Sequence, residues 1–127
     1  IIIIIINNII SKKIKKTVVF VDAPEDYICD MIYLHQLQAV QLHGRETPRF
    51  CEQIKKLGVE VIKTFSIKKH FDFSILMSYE ENCDFFLFDT KGKLPGGNGY
   101  VFDWNILKYY PSKKSFFLSA MHPAVGL

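Results

Sequence analysis

The feature that most constrains the fold is a regular alternation of short apolar runs with amphipathic segments. From residue 17 onward, apolar runs begin near residues 18, 39, 59, 85 and 115. This alternation is typical of successive βα units built around a parallel sheet. Sequential units of this kind usually neighbour one another through right-handed crossovers. The sequence therefore predicts an α/β protein whose strands lie parallel in the order of the chain.

Capping signals locate the helices between these strands. Thr47 is a suitable N-cap and Pro48 a suitable first helical residue, and Gly58 provides a stop after a run of apolar residues at helical spacing. A second helix is expected to start at Pro24, with Ile28, Met31, Ile32 and either Leu34 or His35 on its apolar face. A weaker helix is expected over 72–79, and strands are expected over 17–21, 40–42, 59–65, 85–88 and 115–118.

The first sixteen residues differ in composition from the rest, so we divide the chain into a low-complexity segment, 1–16, and a domain, 17–127. The isoleucine-rich start is too short for a transmembrane helix, which needs about 20 apolar residues. Its lysines follow the apolar run, whereas a signal peptide places positive charge before it. We expect this segment to be aggregation-prone or to have no structural role.

Charge and cysteine content exclude several classes of function. The net charge of +3 comes from a scattered excess of lysines, and the dense group is Lys12, Lys13, Lys15 and Lys16. No aromatic residues are interleaved with this group, so we interpret it as a solvated flank and expect no nucleic-acid interface. Cys29, Cys51 and Cys83 form no CxxC or Cys/His spacing, which predicts neither a metal site nor a disulfide framework. Cys29 and Cys51 are expected on apolar helix faces. Reduced thiols favour a cytoplasmic protein.

Two motifs place polar side chains where strands end. The sequence VQLHG ends a strand at His43 and Gly44, and LFDT ends a later strand at Asp89. A glycine-rich segment, GGNG, and then FDW follow the second motif. Ligands of parallel α/β proteins bind at the carboxyl ends of the strands. We therefore expect Gln41, His43 and Asp89 to converge at that edge of the sheet.

These motifs, in this order and at this separation, resemble the phosphoribosylanthranilate isomerase family, and the resemblance covers residues 17–119. It implies a partial (β/α)8 TIM barrel with parallel strands. A complete barrel takes about 200 residues or more. By this resemblance the strands correspond to the third to seventh of eight, and the first two and the last are expected to be absent.

The resemblance also implies a reaction, the Amadori rearrangement of N-(5-phosphoribosyl)anthranilate to 1-(2-carboxyphenylamino)-1-deoxyribulose 5-phosphate. An acid protonates the ring oxygen and a base removes a proton from carbon. Asp89 matches the family's general acid. The family's general base is a cysteine in a Lys-x-Cys-Gly sequence, which does not occur here. We therefore expect the chain alone to be inactive. A plain structural role for Asp89, starting a turn after the strand, is the competing interpretation.

The resemblance further implies substrate-binding residues. His43 and Gln41 are expected to contact or orient the substrate, although His43 is equally suited to anchoring the loop at Gly44. The glycines of the lid-like loop are Gly96, Gly97 and Gly99. Ser119 occupies the start of the family's phosphate-binding Ser-Gly-Gly, but Ala120 adds a Cβ where glycine is expected, which puts phosphate binding in doubt.

Two other readings of the sequence stay open at this point. One is a catalytically incompetent remnant that serves as an interaction module, and the other is a small doubly wound phosphate-binding domain. For the isomerase, we expect a small phosphorylated substrate, no cofactor, no nucleic acid and no membrane. We also expect self-association, because the strands at 17–21 and 115–118 would form unprotected sheet edges.

Overall fold

The computed structural model describes residues 2–7, 14–67, 71–89, 110–112 and 114–119. Within these ranges the strands are β1 (Ile2–Asn7), β2 (Ile14–Phe20), β3 (Ala39–Leu42), β4 (Glu60–Ser66), β5 (Phe85–Asp89) and β6 (Phe116–Ser119). The helices are α1 (Glu25–His35), α2 (Pro48–Lys55) and a 3-10 helix (Phe73–Tyr79).

The strands form one sheet whose spatial order, β1-β2-β3-β4-β5-β6, is the order of the chain. Every neighbouring pair from β2 to β6 is parallel, which confirms the predicted arrangement. A doubly wound domain reverses its strand order at the ligand crevice. Since no reversal occurs among the described strands, the doubly wound interpretation is wrong, and the partial-barrel interpretation is confirmed.

Local signals explain both α-helices. The Thr47 hydroxyl accepts a hydrogen bond of 3.1 Å from the Phe50 N–H, and Pro48 is the first residue of α2. In α1, Glu25 and Asp26 lie in the first turn, where carboxylates are favourable near the helix's positive end. Gln36 ends α1 in the left-handed conformation, and its N–H donates to the Ile32 carbonyl.

The main core lies between one face of the sheet and the helices. Alternate strand residues face it, because side chains along a strand point to opposite sides. The strand contribution consists of Val18, Phe20, Val40, Leu42, Val61, Phe65, Phe86 and Phe88, and the helix contribution includes Ile28, Met31, Cys51, Ile54 and Leu76. The opposite face of the sheet presents the intervening residues, among them Gln41, Thr64 and Asp89. The fold thus separates an apolar core from a more polar face.

The isoleucine-rich start is part of the sheet, which the sequence did not lead us to expect. Strand β1 pairs antiparallel with β2, with Ile2 opposite Val19 and Asn7 opposite Ile14. The expectation that β2 forms an unprotected edge is therefore wrong, because β1 covers it. β-branched isoleucine favours strands, and this propensity is the physical reason. Strand β2 also begins at Ile14, inside the segment we had set apart as low-complexity.

Two local expectations also need correction. Cys29 is exposed, although we had placed it on the apolar face of α1. Leu34 is likewise 68% exposed, so the buried face of α1 is narrower than predicted and consists of Ile28 and Met31. The weak helix expected over 72–79 is a 3-10 helix, whose N-cap Asp72 accepts a hydrogen bond from Ser74 N–H.

Candidate functional site

The candidate site is centred on His43 and Asp89, which meet at the carboxyl ends of β3 and β5. Nε2 of His43 lies 3.3 Å from Oδ2 of Asp89. The Asp89 side chain is 2% exposed and that of His43 is 24% exposed, so the imidazole lies between the buried carboxyl group and solvent. A buried carboxyl next to an imidazole is suited to holding or passing a proton. The predicted convergence of these two residues is confirmed.

The backbone brings the pair together across an intervening strand. His43 follows β3 directly, and its N–H continues the sheet by donating a 2.9 Å hydrogen bond to the Phe20 carbonyl. Asp89 is the last residue of β5 and lies beside Ser66 of β4 in the strand register. Because β3 and β5 flank β4 in the sheet, the His43 ring reaches across the end of β4 to Asp89.

Gln41 lies on the same face of the sheet, one step deeper than His43. Its Nε2 donates a 3.0 Å hydrogen bond to the Thr64 hydroxyl, and both side chains are buried. A buried amide needs such a partner, because an unpaired one costs about 1–3 kcal/mol. Gln41 therefore forms a polar floor beneath His43 and Asp89, with Thr64 as a partner that sequence reasoning missed.

A buried ion pair lies on the other face of the sheet at the same edge. Nζ of Lys63 is 3.1 Å from Oε1 of Glu46, and the two side chains are 3% and 2% exposed. Lys63 also donates to the Gly44 carbonyl at 2.8 Å and to the Thr64 carbonyl at 3.2 Å. All three ammonium protons thus have acceptors, as a buried lysine requires.

The Glu46 carboxylate holds two successive loops together. It accepts hydrogen bonds from Gly44 N–H (2.8 Å) and from Asp22 N–H (2.9 Å), so it joins the loop after β3 to the loop after β2. Asp22 returns the contact, since its Oδ1 accepts from Arg45 N–H at 2.6 Å. The Tyr79 hydroxyl donates a 2.6 Å hydrogen bond to the Glu46 carbonyl.

Gly44 is required by the close approach of these loops. A Cβ placed there would lie 2.5 Å from Oδ1 of Asp22 and 2.8 Å from its backbone nitrogen. Asp22 itself has a positive φ of 52°, a conformation that Asp and Asn tolerate better than most residues. The glycine of the VQLHG motif is therefore a packing requirement at the base of the loop that follows His43.

Three groups in or beside the core have shifted pKa values, Tyr79, Cys51 and Cys83. Partial burial raises the pKa of Tyr79 to about 12, with smaller contributions from the electrostatic influence of Cys51, Cys83 and Glu46. The hydrogen bond between Cys51 and Cys83 lowers the pKa of the first thiol and raises that of the second. Both cysteines are fully buried, so they are packing residues.

The remaining predicted residues are described only in part. Gly96, Gly97 and Gly99 lie outside the described residues, as do Thr90 and Trp104. Ser119 is the last residue of β6 and lies beside Asp89 in the parallel register, so its backbone is at the expected edge. Within the described ranges no three His, Cys, Asp or Glu residues come together as metal ligands. No helix in those ranges is long and apolar enough to cross a membrane.

Parallel strands in chain order, with paired acid and imidazole side chains at their carboxyl ends, define a βα-barrel-type protein. The family model for N-(5'-phosphoribosyl)anthranilate (PRA) isomerase matches residues 5–120. The chain belongs to this family.

Relatives and solved structures agree with the family model. The N-(5'-phosphoribosyl)anthranilate isomerase of Phocaeicola vulgatus is 45% identical over 101 residues, covering 80% of this chain and 49% of the relative. That of Parabacteroides distasonis is 40% identical over 105 residues, with 83% and 48% covered. The crystal structure of phosphoribosyl anthranilate isomerase from Thermotoga maritima superimposes with a TM-score of 0.69 at 33% identity, covering 83% of this chain and 50% of that one. The chain spans about half the length of the curated relatives it matches.

Proposed function

We propose that this chain provides the general-acid side of an active site for the Amadori rearrangement of N-(5'-phosphoribosyl)anthranilate. The product is 1-(2-carboxyphenylamino)-1-deoxyribulose 5-phosphate. The observation that carries this proposal is the contact between His43 and Asp89 at the carboxyl edge of the sheet, in a chain that belongs to a family named for this reaction.

Asp89 is the proposed general acid, which donates a proton to the furanose ring oxygen as the ring opens. Two features support this role. The side chain is 2% exposed and lies 3.3 Å from the His43 imidazole, so the carboxyl group is shielded from water beside a group that can exchange protons. The carboxyl also lies at the end of a parallel strand, where the ligands of barrel enzymes bind.

His43 and Gln41 are proposed to contact or orient the substrate from the neighbouring strand. His43 is partly exposed beside Asp89, so a ligand bound at this edge would reach its ring before it reached the carboxyl. Gln41 is buried and bonded to Thr64. We therefore propose that it orients the substrate by shaping the base of the binding site. We retain Gly96, Gly97 and Gly99 as lid residues and Ser119 as a phosphate contact on the strength of their motifs.

The reaction also needs a general base, and this chain lacks the sequence motif that carries it in the family. No Lys-x-Cys-Gly sequence occurs in the 127 residues, and Cys51 and Cys83 are sealed in the core. Loss of one of two acid and base groups costs about 10²–10⁴-fold in rate. We therefore propose that the 127-residue chain alone has no measurable isomerase activity. We also propose that the reaction needs no cofactor, since it requires only an acid and a base. Its free cysteines support a cytoplasmic location.

The test is a hybrid protein in which residues 17–119 replace the matching half of the Phocaeicola vulgatus relative, whose own half supplies the rest of the barrel. We expect the hybrid to isomerise N-(5'-phosphoribosyl)anthranilate, measured by loss of substrate fluorescence, and the 127-residue chain alone to show no turnover. A hybrid with a cooperative thermal transition and no turnover would overturn the proposal.

A His43→Gln substitution in the same hybrid separates the two roles weighed for this residue. A substrate-contacting imidazole predicts a higher KM or a lower kcat at an unchanged melting temperature. A loop anchor predicts a lower melting temperature with kinetic constants close to those of the unsubstituted hybrid. The first result supports the proposed role, and the second contradicts it.

A further inference from the structure

The loop that follows His43 is held from the opposite face of the sheet. His43 presents its ring beside Asp89, whereas Lys63 belongs to the core-facing side of β4, next to Leu42 in the register. The two groups are therefore separated by the sheet. They are joined by Gly44, whose N–H and C=O are both bonded to the Glu46–Lys63 pair.

This pair fixes both backbone polar groups of Gly44, the residue that follows His43. Gly44 N–H donates to Glu46, and the Gly44 carbonyl accepts from Lys63. On the other side of His43, its own N–H is bonded to Phe20. The backbone is thus hydrogen-bonded at His43 N–H and at Gly44. The ring can move mainly by rotation of its own side chain, so its position depends on the position of Gly44.

Stability alone is a poor explanation for a pair of this kind. Replacing a buried ion pair with apolar residues of similar volume is often neutral or stabilising. The surroundings of Lys63 are apolar enough for such a replacement, since its ammonium lies over the rings of Phe65 (5.3 Å) and Tyr79 (5.9 Å). Apolar residues could not accept the hydrogen bonds from Gly44 N–H and Asp22 N–H, and they could not donate to the Gly44 carbonyl.

We propose that the buried Lys63–Glu46 pair is a positioning element for the active site, which holds Gly44 so that the His43 imidazole lies against the Asp89 carboxyl. Neither residue touches the proposed reacting atoms, and both act through the loop backbone. Asp22 extends the same device, because it is bonded to Glu46 through its N–H and to Arg45 through its carboxylate. This inference rests on the proposed function of His43 and Asp89.

The test reads the position of the imidazole directly. Histidine side chains are labelled with ¹³C and ¹⁵N in the 127-residue chain, and the His43 ring resonances are assigned by their loss in His43→Gln. We expect Lys63→Met and Glu46→Gln to move the His43 resonances by more than a linewidth. The matched control is Lys15→Met, which breaks the partly exposed Lys15–Glu60 pair at the other end of the same strand, β4, and should leave them unchanged.

A double variant separates positioning from stability. Glu46→Leu combined with Lys63→Met removes both charges, so we expect the melting temperature to recover relative to either single variant while the His43 resonances stay displaced. If the double variant recovered both the melting temperature and the original His43 resonances, the pair would contribute only to stability, and the inference would be overturned. Unchanged His43 resonances in the folded single variants, or an equal displacement in Lys15→Met, would also overturn it.

A surface variant decides the question if the buried ones do not fold. Asp22 is exposed, and Asp22→Gly relieves its positive φ while removing the acceptor for Arg45 N–H, whereas Asp22→Asn keeps an acceptor. We expect a displaced His43 signal in Asp22→Gly and an unchanged one in Asp22→Asn, and equal signals would contradict the inference. Because the readout is a resonance of this chain, failure of the hybrid to turn over substrate overturns the proposed function through a separate measurement.

Discussion

The two ends of the parallel strands are built on different chemistry, although ion pairs occur at both. At the amino ends, Lys15 pairs with Glu60 and Lys55 with Asp84, and these four side chains are 22% to 41% exposed. At the carboxyl ends, Lys63 and Glu46 are 3% and 2% exposed, and Asp89 is 2% exposed. Charged groups are costly to bury. Among the described residues, a buried ion pair occurs at the carboxyl edge and not at the amino edge, which supports the site proposed there.

The contrast also separates two uses of a charged pair. Exposed pairs contribute about 0–1 kcal/mol and are readily screened by salt. Buried pairs contribute little net stability, yet breaking one partner leaves an uncompensated charge. The amino edge therefore tolerates substitution, whereas the carboxyl edge depends on each partner of its network.

Lys63→Met should have the largest effect on stability. It leaves the Glu46 carboxylate buried without its counter-charge, which costs about 3–5 kcal/mol in the free energy of unfolding. Urea denaturation at neutral pH measures this loss. A loss below about 1 kcal/mol, as expected for an exposed pair, would contradict the difference drawn between the buried pair and the surface pairs.

Tyr79 should give the carboxyl edge an alkaline sensitivity. Burial raises its pKa in the folded protein to about 12, from 10.0. The folded state therefore keeps a proton that the unfolded state loses between these values, so this contribution to stability is fully present below pH 10 and is lost as the pH rises to about 12. Tyr79→Phe should lessen the fall in melting temperature over that range.

The control for this titration is Tyr33→Phe, since Tyr33 is 83% exposed on α1. Its melting temperature should fall between pH 10 and 12 as steeply as that of the unsubstituted chain. Equal slopes for the two phenylalanine variants would mean that the Tyr79 hydroxyl, bonded to the Glu46 carbonyl, is not protected by burial.

Lys15→Met should have the smallest effect, about 0–1 kcal/mol in the free energy of unfolding. The Lys15–Glu60 distance is short, 2.6 Å, but both side chains are partly exposed. Added salt should reduce the difference from the unsubstituted chain. A loss as large as that of Lys63→Met would show that distance, rather than burial, governs these pairs.

Strand order and helix starts could be predicted from the sequence because their causes are local. Thr47 and Pro48 determine where α2 begins through one side-chain hydrogen bond and one fixed φ, and alternating apolar runs located the parallel strands. Strand β1 was missed because its repeated isoleucines were read as low complexity, although β-branched residues favour strands. Cys29 was misplaced because α1 buries a narrower face than its apolar residues indicated.

The residues of the candidate site that belong to motifs at strand ends could be predicted. The residues that contact the loop backbone behind them were missed. His43 and Asp89 could be paired in advance because parallel strands bring their carboxyl ends to one edge. Lys63 and Glu46 carry no motif. The available signal was a lysine inside an apolar strand, at a position whose neighbours in the alternation, Val61 and Phe65, are buried. Its partner lies in a loop, and sequence periodicity does not locate loop residues.

The assignment of function to the carboxyl edge can be tested with two Asp→Asn substitutions at opposite ends of β5. In the hybrid enzyme, Asp89→Asn changes the carboxyl end of β5. Asp84→Asn changes the residue before β5, which accepts a 2.8 Å hydrogen bond from Val61 N–H at the amino edge.

The measurement is kcat for both variants, with thermal unfolding to confirm that each is folded. We expect Asp89→Asn to lower kcat by about 10²–10⁴-fold, because an amide has the shape of the carboxyl group but cannot deliver a proton. We expect Asp84→Asn to keep kcat within about twofold, as for a surface change away from the site. Near-normal kcat in Asp89→Asn, or equal losses in the two variants, would contradict the account.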